Sequence, residues 1–174
     1  MNNDEPKGQP TNADPAVEQH SNALNEENWI VENLPNAEDV RVYGFLQLCA
    51  DRRFHRDIQE RFQRDAKLPS PLDYWIHADA GGAPMMLGLT TAPTYCYETK
   101  GVRLMGWSAH GDICGGFPSD TPDEEIRRAL LRAVEIQVKR YKEATHFVYF
   151  ATLKRERDTE ETVVYSMICG KGSD

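Results

Sequence analysis

Gly101-Val102-Arg103-Leu104-Met105-Gly106-Trp107-Ser108-Ala109-His110-Gly111-Asp112-Ile113-Cys114-Gly115-Gly116 decides how the rest of the chain is read. Its first half is apolar enough for a buried strand, and its second half is a glycine-rich loop carrying a His and a Cys. Loops that follow parallel strands are where α/β proteins place ligands, because the strand ends fix geometry while the loop stays accessible. His110 and Cys114 stand four positions apart. On a turn of helical character that spacing leaves both side chains on one face, within reach of one metal ion. A third ligand must come from elsewhere, and Cys49, which ends another apolar run, is the best candidate.

Around that stretch the chain alternates between strands and helices. Residues 40–49 form a mostly apolar strand of the kind found at the centre of a parallel sheet. Phe54, Ile58, Phe62 and Ala66 then recur every four residues, with Arg56, Glu60, Arg61 and Arg64 on the other faces. That pattern predicts an amphipathic helix packed on the sheet and ended by Pro69 and Pro71. Residues 74–78 read as a second strand running into Asp79-Ala80-Gly81-Gly82-Ala83-Pro84, and residues 85–100 leave room for a short helix around Tyr95. Residues 102–107 are the third strand. Thr121 as N-cap, Pro122 at the first helical position and Glu124 in a capping box predict a helix start. Ile126, Leu130, Val134, Val138 and Tyr141 mark its buried stripe. Residues 146–152 and 162–169 are strands four and five, separated by a charged turn over 154–161. The expected fold is α/β: a central, mainly parallel sheet flanked by helices, with four parallel strands and one added strand.

Residues 1–28 are rich in Asn, Pro, Gln and acidic side chains and have little to bury, which predicts a disordered tail. Trp29, Ile30, Val31 and Leu34 mark residues 29–39 as an arm or linker, and residues 40–174 hold the folded domain. The chain has 174 residues, net charge −8 and pI near 5.1, a balance that argues against nucleic acid or an anionic membrane as partner. No apolar run approaches the length of a membrane span, and no signal-peptide pattern stands at the N-terminus. The expected location is cytoplasmic, where the four widely spaced cysteines favour metal binding or thiol burial over disulfides.

Cys49-Ala50-Asp51-Arg52-Arg53 resembles the Cys-x-Asp-Ser-Arg signature of β-class carbonic anhydrases. Residues 101–116 resemble that family's second signature, a strand leading into Gly-His-x-x-Cys-Gly. Ala80-Gly81 match the middle of its Arg-Asn-Ala-Gly-Asn loop. The resemblance covers residues 40–141. It implies that Cys49, His110 and Cys114 are zinc ligands and that Asp51 and Arg53 are the carboxylate–guanidinium pair beside the metal. It also implies a homodimer or higher even oligomer with the site at the subunit interface, for which Phe147, Tyr149 and Tyr165 are expected to supply exposed aromatic surface. Three residues, Gly111-Asp112-Ile113, separate His110 from Cys114 where the family has two. Arg52 stands where Ser is usual, and Ala78-Asp79 replace the Arg-Asn of the middle loop.

Chemistry fits the same residues. Two thiolates and one imidazole leave a tetrahedral zinc one open position, the pattern of a catalytic site. Zinc lowers the pKa of a bound water from about 15.7 to near 7. Asp51 is placed to accept the hydrogen bond of the resulting hydroxide, and Arg53 to keep Asp51 ionised and off the metal through a bidentate pair. Asp112 is an alternative oxygen ligand in place of Cys114, and Gly115-Gly116 an alternative anion cradle. Each residue also has a plainer reading: Cys49 as a buried thiol, His110 as a loop histidine, Asp51 and Arg53 as a solvated ion pair. Cys96 and Cys169 are expected to pack, and His20, His55, His77 and His146 to have core or surface roles. The expected activity is zinc-dependent reversible hydration of carbon dioxide to bicarbonate. The alternatives are hydrolysis of carbon disulfide or carbonyl sulfide on the same fold, or a non-catalytic interaction protein.

Overall fold

β1 (Gly44–Cys49) is an interior strand, and all six of its residues are buried. It lies between β2 (Tyr74–Asp79) and β3 (Leu104–His110), both parallel to it. β4 (Thr145–Glu156) runs parallel to β3, and β5 (Thr159–Cys169) pairs antiparallel with β4, giving the order β2-β1-β3-β4-β5. The computed structural model describes residues 42–88, 91–156 and 159–169. The tail expected over 1–28 and the arm over 29–39 lie outside the described residues.

The sheet is therefore mixed, which corrects the expectation of a mainly parallel one. Its longest ladder is the antiparallel β4–β5 pairing, running from His146↔Cys169 to Glu156↔Thr159. The connection between these strands is too short for the helical crossover that a parallel neighbour requires. The charged stretch expected as a turn over 154–161 instead continues the ladder. Lys154 pairs with Glu161 and Arg155 with Glu160, so opposite charges face each other across the strands.

Each face of the sheet has its own core. On one, Leu46, Leu48, Phe147 and Tyr149 meet Ile58 and Phe62 of α1 (His55–Asp65). On the other, Phe45, Met105, Trp107, Val148 and Phe150 meet the long helix. Successive strand residues thus feed opposite cores, which is why the central strands read as apolar runs. Phe147 and Tyr149 are buried, correcting their assignment as exposed interface aromatics; Tyr165 is exposed. Gly106 lets α1 lie close over β3, since a Cβ there would stand 2.6 Å from Leu46 Cδ1 and 3.0 Å from Phe62 Cδ2.

Between β2 and β3 the chain passes through a 3₁₀ turn (Ala83–Gly88), a single helical turn α2 (Thr91–Thr94) and a π-helical turn (Tyr95–Thr99). The last is the short helix expected near Tyr95. α1 ends at Asp65 and Lys67 then takes a left-handed φ of 55°, before either proline is reached. The long helix α3 (Asp123–Arg140) starts at Pro122, with no side-chain cap bond, so the capping box expected from Thr121 does not form. Pro122 itself supplies the first carbonyl, accepting from the N–H groups of Glu125 (2.9 Å) and Ile126 (3.2 Å). Among the described residues no helix is long and apolar enough to cross a membrane.

Candidate metal centre

The C-terminal ends of β1 and β3 lie side by side in the sheet, and this brings Cys49 and His110 together. The loop after β3 then folds back and returns Cys114 to them. The two sulfurs are 3.8 Å apart, and all three ligand atoms lie within 4.8 Å of one another. All three side chains are buried, the two cysteines in the apolar core beneath α3.

The loop does this without helical character, contrary to the helical turn expected from the four-residue spacing. Asp112 and Ile113 both adopt left-handed conformations, with φ of 53° and 60°. A β-branched residue is rarely held there, and local strain of this kind persists only where the surroundings impose it. Here they do. The Asp112 N–H donates to Asp123 Oδ1 at 3.0 Å, and its carboxylate meets Arg53 Nη1 at 2.7 Å and Arg155 Nη2 at 3.0 Å. Asp112 is thus engaged away from the ligand set, which removes it as a replacement for Cys114.

His110 Nδ1 lies 2.6 Å from the Gly111 carbonyl, so Nδ1 carries the proton and Nε2 the lone pair. Nε2 is buried and has no hydrogen-bond partner. A buried polar atom left open is costly, and a metal ion is the partner such an imidazole suits. Two sulfurs each about 2.3 Å from a tetrahedral ion stand about 3.8 Å apart, the separation found here without one. The residues present therefore fit a metal. Phe54 lies beside the imidazole, tilted 32° to it with ring centroids 4.8 Å apart, and limits its rotation.

The two thiols act on each other: the hydrogen bond with Cys114 is the largest influence drawing the Cys49 pKa down, and the same contact raises that of Cys114. The Gly81 N–H donates to the Cys49 sulfur at 3.3 Å. Gly81 can do so because it turns with φ of 86° and because Gly116 opposite has no side chain. Burial pulls the His110 pKa down, but the Cys49 sulfur, the Gly111 carbonyl and the Asp51 carboxylate outweigh it, so the net shift is upward.

Asp51 and Arg53 form the expected pair. Arg53 gives Nε to Asp51 Oδ2 at 2.9 Å and Nη2 to the same oxygen at 2.7 Å, and its backbone N–H meets Oδ1 at 3.0 Å. This hydrogen bonding, helped by simple attraction, outweighs the upward push of burial and holds the Asp51 carboxyl below its ordinary pKa. Asp51 Oδ2 is 3.8 Å from His110 Nε2, so the pair stands at the edge of the ligand set.

The remaining sequence candidates fall elsewhere. Cys96 is buried, its pKa pushed up to about 11 by burial, and packs in the core. His146 is buried between Trp107 and the Tyr141 carbonyl, and His55 Nε2 donates to the Cys49 carbonyl at 2.6 Å. His77 Nδ1 meets Gln47 Oε1 at 2.9 Å. Gly115-Gly116 cradles no helix N-terminus, because α3 begins beyond it with three acidic residues in its first turn. The anchors Asp123 and Arg155 escaped the sequence reading. No protein-family model matches this chain, and no curated protein matches it either.

Proposed function

We propose that this chain is a zinc enzyme of the β-carbonic anhydrase kind, hydrating carbon dioxide reversibly to bicarbonate, and that it works as a homodimer or higher even oligomer. The observation that carries the reading is one buried cluster: two thiols and an imidazole whose open nitrogen faces them, with an arginine-held carboxylate 3.8 Å from that nitrogen. Bound there, zinc supplies a water acidic enough to act as a nucleophile near neutral pH.

The chain's own residues do the rest. Cys49, Cys114 and His110 Nε2 hold the ion. The Gly111 carbonyl fixes the imidazole tautomer by accepting from Nδ1. Asp51 Oδ2 accepts a hydrogen bond from the attacking water and directs its lone pair at the carbon of the substrate. Arg53 keeps that carboxylate ionised and turned outward. The apolar side chains around the cysteines exclude bulk water and suit an uncharged linear substrate.

The test is metal content of the purified protein measured alongside carbon dioxide hydration. About one zinc per chain with hydration is expected. Cys49→Ser should lose more zinc affinity than the roughly 10–100-fold typical of removing a ligand's supporting partner. Zinc without hydration would move the reading to carbon disulfide or carbonyl sulfide hydrolysis, or to a non-catalytic metal protein. Absence of zinc would remove both enzyme readings.

A further inference from the structure

We infer that Asp112 is a positioning residue that keeps the metal's open coordination site free, by anchoring Arg53 so that Asp51 stays off the ion. The inference rests on the metal reading above and adds a residue to it. Arg53 serves two carboxylates at once. Its Nε and Nη2 hold Asp51, while Nη1 reaches Asp112 Oδ2 at 2.7 Å and Nη2 also reaches the carbonyls of Asp112 (2.9 Å) and Ile113 (3.2 Å). The guanidinium is thereby fixed in plane by the loop between two of the ligands.

Asp112 can act as an anchor because it is itself held from two further sides. Asp123 accepts its N–H, Arg155 on the β4–β5 hairpin donates to its Oδ1, and Thr152 in turn fixes the Asp123 carboxylate by donating to it at 2.5 Å. Asp51, by contrast, takes its carboxylate hydrogen bonds among the described residues from Arg53. Its Oδ2 needs to travel only a few ångströms to reach an ion held by His110 Nε2, since the two atoms are already 3.8 Å apart. Releasing Arg53 from Asp112 frees the Asp51–Arg53 pair to shift inward as a unit. Asp51 then occupies the position that a small ligand needs.

The test uses the full chain loaded with cobalt(II) and titrated with azide, read by the visible absorption of the cobalt. The parent is expected to shift its spectrum on binding azide. Asp112→Asn keeps cobalt but should bind azide roughly tenfold more weakly, because the open form falls to about a tenth of the population. Adding Asp51→Ala to Asp112→Asn should restore the parent affinity, which a general loss of structure could not do. Arg155→Ala removes an outer anchor from an exposed position and should move the affinity in the same direction, by roughly threefold. Azide binding equal to the parent in Asp112→Asn, or a loss that persists without Asp51, overturns the inference. A parent that takes up no cobalt overturns the metal reading instead, and the inference with it.

Discussion

Ile113 is held left-handed at φ 60° while its side chain is 68% exposed, so it bears backbone strain with little burial to offset it. The left-handed conformation costs a non-glycine residue about 1–2 kcal/mol, and glycine's greater freedom in the unfolded chain costs about 0.5–1 kcal/mol. Ile113→Gly should therefore stabilise the protein by up to about 1 kcal/mol, read by denaturant unfolding. His146 makes a second case. Trp107 Nε1–H donates to its Nδ1 at 2.9 Å, so a proton on that nitrogen would face another donor. Burial lowers its pKa, the Tyr141 carbonyl opposing. The unfolded chain then binds the proton more readily, so stability is full above the ordinary histidine pKa of about 6.5 and falls as pH drops below it. The thermal midpoint of metal-free protein should fall between pH 7.5 and pH 5, and His146→Gln should show the smaller fall. The candidate ligands were legible in the sequence because Cys49 and His110 each end an apolar strand and Cys114 stands among the glycines that follow His110. The role of Asp112 was not, because its partners Asp123 and Arg155 lie far along the chain and no spacing links them to it.

Two loops from different crossovers touch through bare backbone where Gly116 meets Gly81. A Cβ on Gly116 would collide with Gly81 Cα and stand 2.9 Å from the Ala80 carbonyl carbon, and backbone cannot give way as a flexible side chain can. Gly116→Ala should destabilise the fold by about 1–3 kcal/mol. It should also withdraw the Gly81 N–H from the Cys49 sulfur, weakening zinc binding by roughly 10–100-fold in a chelator competition. The elements themselves were mostly readable. β1, β3 and both long helices follow their apolar patterns, since burial on two faces leaves runs and burial on one leaves stripes. The β4–β5 hairpin was misread because its charged residues resemble a turn in one dimension. Pairing Arg155 with Glu160 across the strands is what keeps them in the ladder. The start of α3 was misread because Pro122 has no N–H and takes the cap position itself.

Among the described residues the sheet ends on two edge strands, β2 and β5. β2 runs into the loop that contacts Cys49, and it exposes Trp75 and Ile76 beside Tyr95. An apolar edge next to the candidate metal centre suits the second copy proposed above, so micromolar protein should sediment as a dimer or a multiple of one. Ile76→Lys should shift it to monomer, and a monomeric parent would contradict the assembly. The sulfur contact at this same end of the sheet has a consequence of another kind. Cys49 and Cys114 are 65 positions apart in the chain, so an ion between them staples the hairpin-free middle of the sheet across one long loop. It can leave only when the hydrogen-bonded ends of β1 and β3 part. The rate at which zinc passes to a strong chelator is then a clock for the breathing of the molecule's centre, and it should keep time with amide hydrogen exchange in those two strands.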